Sequence, residues 1–184
     1  MIKRSSSNAV RSTFEWVGTI VVALLIAMVI RVFLFSPYDV EGASMRPTLE
    51  DNEKIIVNKW SYRMHEPAHG DIVVFHAEAG RDFIKRVIGL PGDRIEIREG
   101  KVFRNGTALS EPYIQGITYP RGISRATVVP EGMLYVLGDN RENSKDSRDL
   151  GTIPLSEVVG RADIIVLPLK QIKLLTVEAI TSSR

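Results

Sequence analysis

The sequence predicts a mainly β fold: a single N-terminal transmembrane helix followed by an antiparallel β-sheet or barrel-like domain. Three observations carry this. Residues 16–35 form an apolar run whose one formal charge is Arg31. Short strand-like segments follow, with no long helical pattern between them. Turn residues punctuate them at Pro91-Gly92-Asp93, Glu99-Gly100, Asn105-Gly106, Pro130-Glu131-Gly132 and Gly138-Asp139-Asn140.

Taken in chain order, residues 1–15 form a polar tail in which Ser5-Ser6-Ser7 reads as flexible, with Lys3, Arg4 and Arg11 set against Glu15. Residues 16–35 are long enough, at about 1.5 Å per residue, to cross the roughly 30 Å of a hydrocarbon core. Arg31 lies near the far end, where its side chain can snorkel to the interface. The run ends in Val-Phe-Leu-Phe-Ser-Pro without the small-x-small site of a cleaved leader, which makes it an uncleaved anchor. The basic flank stays in the cytoplasm, so the chain is a single-pass protein of the cell membrane. Residues 36–184 then lie on the extracytoplasmic side.

Strands are expected at Lys54–Asn58, Asp71–His76, Phe83–Leu90, Arg94–Arg98, Val102–Arg104, Ala126–Val129, Met133–Leu137 and Val158–Leu167. Asn105-Gly106 suits a type I′ hairpin, since both residues tolerate positive φ. Residues 170–181 fit a strand and a short helix equally well.

Composition narrows the function classes. The chain has 184 residues, with 24 Lys plus Arg against 22 Asp plus Glu. That near balance argues against a nucleic-acid partner. With 44% hydrophobic and 25% charged residues the chain is not disordered. No cysteine is present, which excludes disulfides, thiol nucleophiles, Cys-ligated zinc and iron–sulfur clusters.

Four segments carry possible chemistry. His65-Glu66-Pro67-Ala68-His69 spells a zinc-peptidase string, but Pro67 disfavours the helix that would put both histidines on one face. The ordinary reading is a polar turn. Ser44, in Gly42-Ala43-Ser44-Met45-Arg46-Pro47, reads equally as a turn former or as a nucleophile close to the anchor. A nucleophilic serine needs a base, and a neutral lysine can be one. Its pKa must fall from about 10.4 to about 7–8, a change of roughly 4 kcal/mol that burial can supply. Lys85 lies in Phe83-Ile84-Lys85-Arg86-Val87 and on a strand shares a face with Phe83 and Val87. A Lys-Arg pair on a half-exposed strand is the plain alternative. Gly138–Asp149 contains no apolar side chain and reads as a solvated loop or as a store of partners for buried charge.

In order and spacing, Ser44-Met45-x-Pro47-Thr48-Leu49, Gly70–Phe75, Ile84–Asp93 and Gly138-Asp139-Asn140-Arg141-x-Asn143-Ser144-x-Asp146-Ser147-Arg148 resemble bacterial type I signal peptidases of the Gram-positive-like branch. The resemblance implies a membrane-bound serine endopeptidase with a Ser–Lys dyad and a β-rich catalytic core carrying a variable β insertion, here near residues 94–130. It makes Ser44 the nucleophile and Lys85 the general base. It makes Ser144 the residue that orients the lysine amine by hydrogen bonding, pairs Asp146 with Arg148, and pairs Asp139 with Arg86. Gly42 stands where some members carry a serine hydroxyl for the oxyanion hole, which leaves backbone N–H groups, including that of Ser44, to form it. The implied substrates are secretory preproteins cleaved after small residues in an Ala-x-Ala pattern at the bilayer surface. Val40, Met45, Leu49 and Ile84 are the implied pocket residues. No metal or cofactor is implied. The alternatives are a zinc peptidase built on His65 and His69, and a non-catalytic anchored β-domain.

Overall fold

Alternating or continuous apolar runs bounded by Gly, Pro, Asn and Asp become strands along most of the chain, as a computed structural model describes for residues 6–29, 34–77, 80–121 and 126–175. The elements are helix α1 (Ser6–Val29), strands β1 (Phe35–Asp39) and β2 (Lys54–Asn58), and the one-turn helix α2 (Ser61–Met64). Strands β3 (Ile72–His76), β4 (Asp82–Gly89), β5 (Arg94–Arg98), β6 (Lys101–Arg104), β7 (Thr107–Ala108), β8 (Ala126–Val128) and β9 (Met133–Leu137) follow. Helix α3 (Ser147–Leu150) and strands β10 (Ile153–Pro154), β11 (Val158–Leu167) and β12 (Lys173–Leu174) come last among the described residues.

Helix α1 starts at Ser6, well upstream of Trp16, so Ser6 and Ser7 belong to a helix and not to a flexible tail. Its apolar side chains from Trp16 to Met28 are exposed. Among the described residues no helix is long and apolar enough to cross a membrane. Of the expected anchor, residues 30–33 lie outside the described residues, and Phe35 belongs to β1.

The main sheet is antiparallel, in the order β1-β2-β11-β3-β4-β9-β10, with β12 paired to β11. Register shifts along β11, and between Val87 and Gly89 of β4, bend these strands and curl the sheet. The smaller sheet runs β7-β6-β5-β8 and occupies residues 94–128. Its β6–β7 turn has positive φ at both Asn105 and Gly106, as the type I′ reading requires. Strand β1 escapes a pattern search because it contains Pro37. The proline is tolerated there because β1 is the edge of the sheet. In the region left between strand and helix, a 3₁₀ turn (Leu169–Gln171) precedes β12, while residues 176–181 lie outside the described residues.

Strand β3 reads as a continuous apolar run because both its faces are covered. Ile72 and Val74 join Met45, Leu49, Ile55, Val57 and Ile165 in one core. Val73 and Phe75 join Val87, Leu134 and Val136 in another. A third core, including Ile88, Ile95, Val102, Tyr113, Tyr135 and Leu137, binds the smaller sheet to strands β4 and β9.

Candidate active site

Ser44 sits in the turn between β1 and β2. Met45 and Leu49 root that turn in the core, and the Leu49 amide donates to the Met45 carbonyl at 3.0 Å. Lys85 projects from β4, is 3% exposed, and has its amine 5.1 Å from the centroid of the Phe83 ring. The Lys85 Nζ donates to Ser44 Oγ at 3.0 Å and to the Ile84 carbonyl at 2.8 Å. Burial is the main influence on this amine and pulls its pKa down to about 8, against the carboxylates of Asp146 and Asp139, which act in the opposite direction. A buried amine that gives up its proton near neutrality, at hydrogen-bond distance from a hydroxyl, is equipped to act as a general base.

Both groups open onto a cleft of about 600 Å³. Val40, Met45 and Ile84 line it, as does Lys145 from the polar loop. Leu49 does not. It is fully buried beneath the turn, packed in the core with Ile55, Val57 and Ile72 and absent from the lining of the cleft. Gly42 also lines the cleft, at φ +88°, and offers no side-chain donor.

The polar loop after β9 is largely buried, through paired charge. Arg86 meets Asp139 in a two-pronged contact, Nε to Oδ1 at 2.9 Å and Nη2 to Oδ2 at 2.6 Å. The Thr48 hydroxyl donates to the same carboxylate at 2.5 Å and so ties the serine turn to it. Arg148 grips Asp146 in the same way, with both contacts at 2.8 Å. Asp146 also caps α3 and accepts the Gly138 amide at 3.1 Å. Burial would raise the Asp146 carboxyl, but Arg148 and the Gly138 amide hold it below its ordinary value.

Ser144 differs from the sequence expectation. Among the described residues its buried Oγ makes no hydrogen bond: it approaches the Asp146 carboxylate without bonding geometry and does not bond the Lys85 amine. The Ile84 carbonyl holds that amine instead. Ser144 packs on Gly138, where an added Cβ would stand 2.2 Å from Ser144 Oγ and 2.6 Å from the Ser44 carbonyl oxygen. Glycine at 138 is thus a matter of close approach.

Several supporting residues escaped sequence reasoning. Asn140 clamps the nucleophile turn, its Nδ2 donating to the Ala43 carbonyl and its amide to the Ser44 carbonyl, both at 3.0 Å. Thr48 and Asn140 lay inside quoted motifs, so a signal existed. Glu111, Tyr113 and Thr118, and Arg121, whose Nη1 donates to the Ser144 carbonyl at 2.7 Å, lie where no motif was visible, and no sequence feature marks them.

The zinc-peptidase string is not a helix. Helix α2 ends at Met64, His65 is exposed, and His69 Nε2 pairs with Asp93 Oδ2 at 2.7 Å. Among the described residues no group of three or more His, Cys, Asp or Glu side chains is placed to hold a metal ion.

A family model described as "Signal peptidase, peptidase S26" matches residues 13–167. The chain belongs to that family. It is 39% identical to "Signal peptidase I" of Bacillus licheniformis over 184 aligned residues, covering 94% of this chain and 98% of the relative. It is 37% identical to "Signal peptidase IB" of Staphylococcus aureus over 179 residues, covering 89% and 94%. Among solved structures, a signal peptidase I from Enterococcus faecalis V583 aligns at 34% identity and a TM-score of 0.44, covering 53% of this chain and 97% of that one. Membership of the signal peptidase family makes the chain a peptidase.

Proposed function

We propose that the chain is a membrane-anchored endopeptidase that removes signal peptides from secretory preproteins, with Ser44 as nucleophile and Lys85 as general base. The observation that carries this reading is the 3.0 Å contact between Lys85 Nζ and Ser44 Oγ at a cleft. As Oγ attacks the scissile carbonyl, its proton passes to the neutral Lys85 amine. The resulting ammonium returns the proton to the leaving amine, and the acyl group stays on Ser44. Water then attacks this ester, with Lys85 again taking the proton, and hydrolysis frees the serine. The Ser44 N–H is the donor assigned to the developing oxyanion. Val40, Met45 and Ile84 narrow the cleft, and that favours small side chains before the cleaved bond.

Asp139, Arg86, Asp146 and Arg148 hold the frame around the pair. Ser144 carries an unpartnered hydroxyl beside it, available to the lysine amine once the side chain turns. The apolar run from Trp16 is the anchor in this reading, ending before Phe35 of β1, with the N-terminus cytoplasmic and the catalytic domain outside. Support comes from the exposed apolar side chains of α1 and the short link from Phe35 to Ser44. The bilayer and the preprotein are the two partners.

The test is preprotein cleavage in detergent by wild type, Ser44→Ala and Lys85→Ala, with and without EDTA. Each variant should lose roughly 10⁴-fold or more in kcat, and EDTA should change nothing. Substantial activity in either variant overturns the dyad. Loss of activity on chelation points instead to the His65 and His69 string, and full function without either residue points to a non-catalytic domain.

A further inference from the structure

We infer that residues 111–118, in the connection between β7 and β8, are a positioning device for the Ser44–Lys85 pair, and that Glu111 is its central residue. The inference deepens the function proposed above and rests on that reading. Arg141 is fully buried in the polar loop. Its charge is met by Glu111, with contacts of 3.0 Å to Oε2 and 2.5 Å to Oε1, and by the Thr118 hydroxyl at 2.6 Å. Its remaining Nε donates to the Gly138 carbonyl at 3.1 Å. Gly138 is the residue against which both the Ser144 side chain and the Ser44 carbonyl pack. A line of direct contacts therefore runs from Glu111 through Arg141 and Gly138 to the nucleophile turn.

Two further links run in parallel. The Gln115 amide donates to the Asp139 carbonyl at 2.8 Å, and the Arg141 amide donates to the Gln115 carbonyl at 2.9 Å, forming a parallel bridge between segment and loop. Tyr113 donates its hydroxyl to Glu111 Oε1 at 3.0 Å, and its ring lies under the Arg86 guanidinium, 3.9 Å from Cζ to centroid. Arg86 neighbours Lys85 in sequence and pairs with Asp139. The segment thus braces two buried arginines, Arg141 in the loop and Arg86 beside Lys85 on β4. None of its side chains lines the cleft around Ser44 and Lys85, so it acts through the loop and not on substrate.

Removing the Glu111 charge leaves a buried guanidinium without its counter-ion, and the loop must shift to hydrate it. The reacting atoms then lose their spacing, while Val40, Met45 and Ile84, which line the cleft from outside the loop, keep their places. The experiment compares full-length Glu111→Gln, Glu111→Asp and Thr118→Val with wild type in detergent. It measures kcat and KM on a preprotein, melting temperature, and trypsin cutting at Lys145, the exposed lysine of the loop.

The expected result for Glu111→Gln is a kcat lower by about 10²-fold with KM within about twofold, since misplacement by an ångström costs that much. Cutting at Lys145 should speed up. Glu111→Asp should recover part of the rate, and Thr118→Val, which removes one hydrogen bond from the charged Arg141 guanidinium, should lose roughly tenfold. Wild-type kcat in a folded Glu111→Gln overturns the inference, as does loss confined to KM. If Glu111→Gln fails to fold, Thr118→Val decides: wild-type kcat and wild-type cutting at Lys145 overturn the inference. The trypsin readout needs no activity, so it judges the brace even if Ser44→Ala and Lys85→Ala disprove the dyad.

Discussion

Two polar stretches of this chain, His65–His69 and Gly138–Asp149, read alike in sequence and end in opposite places. The first stays near the surface, where His69 Nε2 meets Asp93 Oδ2 on a neighbouring turn. The second carries Asp139, Arg141, Ser144, Asp146, Ser147 and Arg148 into the interior. Polarity does not separate them. What separates them is the supply of opposite charge: Arg86 from β4 and Glu111 from the segment after β7, together with the loop's own Asp146–Arg148 pair. A charge enters a protein interior when a partner of good geometry is already there, and otherwise it stays in water.

The largest expected effect sets the two stretches furthest apart: the loss of roughly 10⁴-fold or more in kcat for Ser44→Ala or Lys85→Ala, whose lysine the buried loop encloses. Next, Asp146→Asn leaves Arg148 buried beside a neutral amide. Denaturant unfolding should show a loss of about 3–5 kcal/mol.

The pH dependence comes third. Lys85 works as a base when uncharged, and burial has brought its pKa down to about 8. The cleavage rate should therefore rise with pH, by about tenfold per pH unit below 8, and level off above it. At pH 6 it should be roughly 100-fold below the plateau. A flat rate from pH 6 to 9 would contradict a titrating amine.

Gly138→Ala places a Cβ against Ser144 and the Ser44 carbonyl. The expected cost is about 1–3 kcal/mol of stability, read from melting, with a fall in kcat as the nucleophile turn is pushed away. The smallest effect belongs to the exposed stretch. His65→Ala should change stability by no more than about 0.5 kcal/mol and leave the cleavage rate as it was.

Legibility in the sequence followed the range of the interactions involved. Strands β2, β5, β9 and β11 begin and end at the residues their patterns indicate, because apolar alternation and turn residues act over a few positions. The two-residue strands β7, β10 and β12 are too short to show any period. Val40, Met45 and Ile84 line the cleft, while Leu49, an apolar side chain four residues past Met45, lies in the core away from it. Only the path of the turn distinguishes them. Segment 111–118 looked featureless because its contacts to the loop carry information solely in three dimensions.

By itself the sequence determined the strand-rich architecture, the apolar N-terminal run and the residues able to do chemistry, since these follow from local geometry and side-chain type. The tertiary structure decided that Ser44 and Lys85, 41 residues apart, would meet, and that Asn140 would hold the serine turn from 97 residues away. It also decided which charges would be buried and by what they would be met. The physical reason is that desolvation depends on the whole packed surroundings of a group, and those surroundings exist only once the chain has folded.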